Sequence, residues 1–328
     1  MQYPQTRLRR NRSSQWLRNL VQETELSVND LVYPIFVTPE KAAKDEIKTM
    51  SGVFRLGEKE LVAEVKEAKK LGINAIAIFP VVPQKNKDEG GSYALDKNNF
   101  LLSRVKKIKD SVPDIGIICD VALDPYTTHG HDGVLNKKNQ VDNDKTIEIL
   151  CKQAVLLAEA GADFVAPSDM MDGRIGEIRD ALDAESLIDT GIISYSVKYA
   201  SSLYAPFRDA VGSSKSLKLK DKKTYQMNPA NIREAILEAQ LDVSEGADVI
   251  MVKPGIFYLD VISELKNHID RPIFAYQVSA EYSMMKHASL AGIIDFDKVM
   301  LESLICFKRA GADAIFTYAA KHVAEILK

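Results

Sequence analysis

The stretch Gly246-Ala247-Asp248-Val249-Ile250-Met251-Val252-Lys253-Pro254 decides how the chain is read. Its glycine suits the left-handed residue just past a helix end. The apolar run behind it shows no polar alternation, as expected of a strand buried on both faces of a parallel sheet. Three other stretches repeat the pattern. They are Leu71-Gly72-Ile73-Asn74 before Ala75-Ile76-Ala77-Ile78-Phe79, Ala160-Gly161-Ala162-Asp163 before Phe164-Val165-Ala166, and Ala310-Gly311-Ala312-Asp313 before Ala314-Ile315-Phe316-Thr317.

The remainder of the chain completes the series. Strands are expected at 32–37, 75–79, 115–121, 164–166, 192–195, 249–252, 273–276 and 314–317, with helical patterns between them. Leu61, Val65, Ala68 and Leu71 recur on one helix face. Asn228-Pro229 reads as a cap followed by proline at the first helical position. Eight strand–helix units point to an α/β fold, a (β/α)8 TIM barrel spanning residues 31–328. A doubly wound open sheet is the alternative, but no G-x-G-x-x-G follows the first strand. Residues 1–30 fit no unit. They are polar and basic, with Trp16, Leu17, Leu20 and Val21 as isolated anchors, too little apolar surface to fold alone. They are read as an N-terminal arm that wraps a neighbouring subunit.

Composition narrows the function. A net charge of −3 gives no reason to expect nucleic acid as a partner. No apolar run reaches the ~20 residues of a membrane helix. Arg7, Arg9, Arg10 and Arg12 lack the apolar stretch of a secretory signal, which favours a cytoplasmic address over a transit peptide. Cys119, Cys151 and Cys306 are an odd, widely spaced set that fits a reducing compartment. Cys151 falls with Ile147, Ala154 and Ala158 on one helix side and reads as a small buried hydrophobe.

In a barrel of this class the chemistry sits at the C-terminal strand ends. Lys198 and Lys253 stand at the ends of neighbouring expected strands. Two ammonium groups forced into one partly dry cleft cannot both stay charged cheaply, so one becomes a neutral nucleophile suited to a ketone. The connection after 195 is long, and it carries Lys215, Lys218, Lys220, Lys222 and Lys223. This is either a solvated charge run or a lid whose lysine, with Arg208, reaches a substrate carboxylate. Asp120, Asp124, Asp132, His129 and His131 either serve the lysines or hold a hard ion. Glu234, Glu238, Asp242 and Glu245 share one helix side and read as a solvated face. Ser279 and Tyr318 follow the last two strands.

Five segments together resemble the porphobilinogen synthase (5-aminolevulinate dehydratase) family over essentially the whole chain. They are Tyr195-Ser196-Val197-Lys198-Tyr199-Ala200-Ser201-Ser202, Ala205-Pro206-Phe207-Arg208, Tyr225-Gln226-Met227-Asn228-Pro229, the opening stretch to Pro254, and Ala275-Tyr276-Gln277-Val278-Ser279-Ala280-Glu281-Tyr282. The resemblance implies condensation of two 5-aminolevulinate molecules to porphobilinogen with loss of two waters, in tetrapyrrole synthesis. It implies Schiff bases at Lys253 and Lys198. It implies Arg208 and Lys222 on one substrate carboxylate, and Ser279 and Tyr318 on the other. The family often has arginine where Lys222 stands, so the grip here is less bidentate. The resemblance also implies a homo-octamer with embracing arms.

The zinc-dependent branch carries three cysteines where this chain has Ala122, Asp124 and Asp132, so no active-site zinc is expected. The chain resembles the aspartate-bearing branch, in which Glu238 matches the residue serving an activating, allosteric Mg2+. A Schiff-base aldolase is the other enzymatic reading, although no glycine-based phosphate loop follows the last strands. A barrel that only binds a carboxylate is the third, and binding alone needs no neutral amine.

Overall fold

A computed structural model describes residues 2–211 and 221–328. Lys215, Lys218 and Lys220 of the expected lid lie outside the described residues. The strands are β1 (Leu31–Val37), β2 (Lys44–Glu46), β3 (Phe54–Leu56), β4 (Ala75–Pro80), β5 (Gly116–Val121), β6 (Phe164–Pro167), β7 (Gly191–Lys198), β8 (Val249–Lys253), β9 (Ile273–Gln277) and β10 (Ala314–Thr317). β1 and β4 through β10 pair in parallel in chain order, and β10 closes on β1 through Leu31↔Ile315 and Val32↔Phe316. The protein is a (β/α)8 TIM barrel. Among the described residues, no helix is long and apolar enough to cross a membrane.

The repeated glycine motif has a second half that the sequence pattern alone did not explain. Gly72, Gly161, Gly246 and Gly311 all adopt positive φ, from 95° to 110°, at helix ends, where any side chain would be strained. The aspartate two residues later then fastens the base of the barrel. Asp163, Asp248 and Asp313 each accept, through the side chain, the backbone N–H of Ile117, Ile192 and Ile273 on the preceding strand. Their own N–H groups donate back to the same residues' carbonyls. Asn74, at the matching position before β4, donates instead from its side-chain amide to that of Asn29, just ahead of β1. These side-chain fastenings fall at every second joint around the ring.

Three expectations are corrected. Short antiparallel strands β2 and β3 flank the barrel, with β3 alongside β1; Lys44-Asp45-Glu46 is exposed and gives no apolar signal. The helix expected from Pro229 begins at Arg233 (Arg233–Ser244). Asn228 instead turns the chain, its side chain accepting from the Ala230 N–H. Cys151 is only half-buried, although Ile147, Ala154 and Ala158 beside it are buried. In the arm, Leu8–Arg12 and Gln15–Leu20 are short helical turns with no buried residue, and Tyr3, Leu8, Trp16 and Leu20 are all exposed.

Candidate active site

Lys198 and Lys253 are register partners on β7 and β8. A one-residue irregularity makes them so: Ser194 pairs with Ile250, but Val197 pairs with Val252. Three residues on β7 span what two span on β8, and such a bulge re-aims the side chains beyond it. β7 therefore runs on through Lys198 instead of ending at Tyr195. Both lysines are buried and line one cleft with Asp120, Asp124, Asp132, Ser168, Tyr204, Phe207, Arg208, Lys222 and Gln226.

Lys253 points into an aromatic cage. Its Nζ lies 4.7 Å from the Tyr276 ring centre, 5.1 Å from those of Tyr195 and Phe207, and 5.5 Å from that of Tyr204. Burial, then the charge of Lys198, pulls its pKa down to about 7, against the opposing pull of Asp120. Asp120 is pushed up to about 6 by burial and by Asp124. An amine and a carboxyl poised near neutrality thus face the same space.

Lys198 occupies a polar corner. Its Nζ donates to the Ser168 carbonyl and lies 3.4 Å from Asp132. Lys222 lies 2.8 Å from Asp132 and 3.4 Å from Asp124. Burial alone would raise the Asp132 carboxyl, but Lys198 and Lys222 outweigh it and hold it well below the carboxylate range. Burial disfavours the Lys222 ammonium, and Asp124 and Asp132 more than offset it. The segment bearing Lys222 is pinned over the mouth: Gln226 N–H donates to the Lys222 carbonyl, Met227 N–H to the Lys198 carbonyl. About 30 Å³ of free space remains in the cleft, room for a water or two.

Arg208, on the helix Ala205–Ala210, also lines the cleft. Ser279 and Tyr318 stand one layer back. The Ser279 hydroxyl accepts the Phe207 N–H at 3.0 Å, and the Tyr318 hydroxyl lies 3.0 Å from that of Tyr276. Phe207 and Tyr276 are two walls of the Lys253 cage, so both hydroxyls sit behind that cage.

The reading of Glu234, Glu238, Asp242 and Glu245 as a solvated face is overturned. Asp242 is buried against Arg174, 3.3 Å away, and Arg174 is itself fully buried and also faces Asp169 at 3.6 Å. Glu238 is half-buried beside them, its carboxyl raised to about 7 by burial and by Asp242. It opens on a polar cleft lined also by Asp172, Glu234 and Gln226. Among the described residues, no three His, Cys, Asp or Glu side chains converge to hold an ion directly. Sequence reasoning missed Arg174, Asp169 and the aromatic cage. Arg174 follows the end of β6 and could have been noticed there, but its partner Asp242 lies far along the chain.

The family described as delta-aminolevulinic acid dehydratase matches residues 5–326. Delta-aminolevulinic acid dehydratase of Bradyrhizobium diazoefficiens is 49% identical over 322 residues, covering 98% of this chain and 91% of that one. Delta-aminolevulinic acid dehydratase 1, chloroplastic, of Arabidopsis thaliana is 50% identical over 322 residues, covering 98% and 74%. The solved structure of delta-aminolevulinic acid dehydratase (porphobilinogen synthase) from Toxoplasma gondii ME49, in complex with the reaction product porphobilinogen, superposes with TM-score 0.97 at 46% identity, covering 99% and 92%.

Proposed function

The chain belongs to the delta-aminolevulinic acid dehydratase family, and we propose that Lys253 and Lys198 are the two amines that carry its reaction. It is a lyase that condenses two molecules of 5-aminolevulinate to porphobilinogen in tetrapyrrole biosynthesis. The observation that carries the assignment is the register pairing of two buried lysines in one cleft, one of them desolvated by rings.

Neutral Lys253 attacks the ketone carbon of the first substrate. The carbinolamine loses water to leave an iminium, which acidifies the neighbouring carbon for bond formation. Asp120, held near 6, is matched to deliver the proton that the departing hydroxyl takes and to recover one later. Lys198 binds the second substrate's ketone in the same way. Arg208 and Lys222 take that substrate's carboxylate; Ser279 and Tyr318, behind the cage, take the first one's once Phe207 yields. Borohydride added with 5-aminolevulinate should fix substrate mass on Lys253. Intact protein without adduct would overturn the assignment.

Glu238 fits an activating Mg2+ held by one carboxylate and mostly by water, since that ion dehydrates reluctantly. It would supply charge at the edge of the lid segment, away from the reacting carbons. Asp124 and Asp132 share the Lys222 ammonium and Ala122 offers no donor, a set unsuited to zinc. Residues 1–30 form the arm and 31–328 the catalytic barrel. The exposed Tyr3, Leu8, Trp16 and Leu20 favour an arm that packs on another copy, in a homo-octamer. Deleting the arm should give a smaller species by light scattering. Three free cysteines fit a cytoplasmic address.

A further inference from the structure

Lys87 is buried, and its Nζ has no hydrogen-bond partner among the described residues. It follows the turn Gln84–Asn86, just beyond β4. That turn is laced to the loop after β5. Asp88 N–H donates to the Tyr126 carbonyl at 3.3 Å, Thr128 N–H to the Asp88 carbonyl at 2.9 Å, and His129 Nε2 lies 3.1 Å from the Glu89 carbonyl. The lacing holds Lys87 beside the loop that carries Asp124. Burial pulls the Lys87 amine down, and Asp124 is the charge that opposes this.

Asp124 therefore has one ammonium in contact, and a second buried amine is held in the adjoining loop. Lys222 touches it from the cleft at 3.4 Å. The Lys87 amine, carried on the other loop, makes no hydrogen bond among the described residues. The cleft itself holds three carboxylates, Asp120, Asp124 and Asp132, with Lys198, Lys222, Arg208 and a Lys253 whose pKa is lowered to about 7. Lys222 and Arg208 are the cations that a substrate carboxylate would claim. Lys87 is not among the residues that line it.

We propose that Lys87 is a positioning residue for the known reaction, the standby counter-ion of Asp124. When Lys222 leaves Asp124 to take a substrate carboxylate, the buried aspartate would lose its ion-pair partner, which is strongly unfavourable. Lys87 closes the gap, so Lys222 is released at low cost. Without Lys87, Asp124 retains Lys222 and substrate must compete with it. The inference rests on Lys222 acting on the substrate carboxylate, and the test separates the two.

The experiment measures kcat and KM for 5-aminolevulinate, together with borohydride trapping at Lys253. Lys87→Met keeps the buried stem and removes the charge. It should raise KM about ten-fold while trapping at Lys253 at saturating substrate is unchanged, and Lys87→Arg should recover most of the loss. In an Asp124→Asn background, Lys87→Met should add nothing, because no carboxylate then holds Lys222. An unchanged KM in Lys87→Met, or the same ten-fold rise in the Asp124→Asn background, overturns the proposal. Should Lys87→Met fail to fold, Lys87→Met/Asp124→Asn against Asp124→Asn alone decides the matter: equal KM supports the proposal, a higher KM overturns it. Lys222→Met is the control. If it leaves KM at the wild-type value, the Lys222 reading fails; if it raises KM while Lys87→Met is inert, only the role of Lys87 fails.

Discussion

Lys253 and Lys198 are paired across neighbouring strands, and their amines occupy opposite surroundings. Lys253 meets four aromatic rings. Lys198 meets a carboxylate and a carbonyl. One setting removes water and offers little to replace it, so the charged form is disfavoured; the other replaces water with oxygen atoms. The same side chain at the same barrel height is stripped of water by one set of neighbours and given polar partners by the other.

The contrast is tested most severely by Lys253→Met, which should reduce pyrrole formation about 10⁴-fold. It should also raise the melting temperature at pH 7. The folded pKa of about 7 lies below the ~10.4 of an unfolded lysine, so the unfolded chain binds more protons between those values. Wild-type stability then rises with pH across that window, and the variant lacks the rise; calorimetry from pH 7 to 10 checks both.

Asp132→Asn attacks the polar side. It leaves Lys198 and Lys222 without their shared anion, and should cost about 3 kcal/mol by denaturant titration and about 100-fold in activity. Phe207→Ala opens the aromatic side. Water then reaches Lys253, its pKa climbs, and the acid limb of kcat/KM, centred near 7 in the wild type, should move about one unit upward. That is about five-fold in rate at pH 7. The smallest effect is expected at Glu238. Glu238→Ala should abolish a several-fold Mg2+ activation and keep the metal-free rate. The Glu238 carboxyl is held near 7, so wild-type activation should strengthen between pH 6 and 8.

The barrel was legible because each glycine turn and each apolar run is a local event. Gly161, Gly246 and Gly311 mark helix ends wherever the rest of the chain lies. The bulge in β7 was not legible, since Ser196-Val197 carries no mark of the register shift on the other strand. The helix before β8 misled for the same reason. Its carboxylates show the spacing of a wet surface, and only Arg174, brought in at the start of the helix Arg174–Ala184 after β6, makes Asp242 an interior residue. Ser279 and Tyr318 were placed correctly at strand ends, but their present partners, Phe207 on the helix Ala205–Ala210 and Tyr276 within β9, are set by tertiary packing.

The side-chain fastenings at the far rim, three aspartates and the Asn74–Asn29 pair, come at every second joint. The cylinder is thus built of four double staves, each tied internally and free to vary at its upper edge. An inserted residue in one stave, such as the extra one before Lys198, is absorbed there and never passed round the hoop.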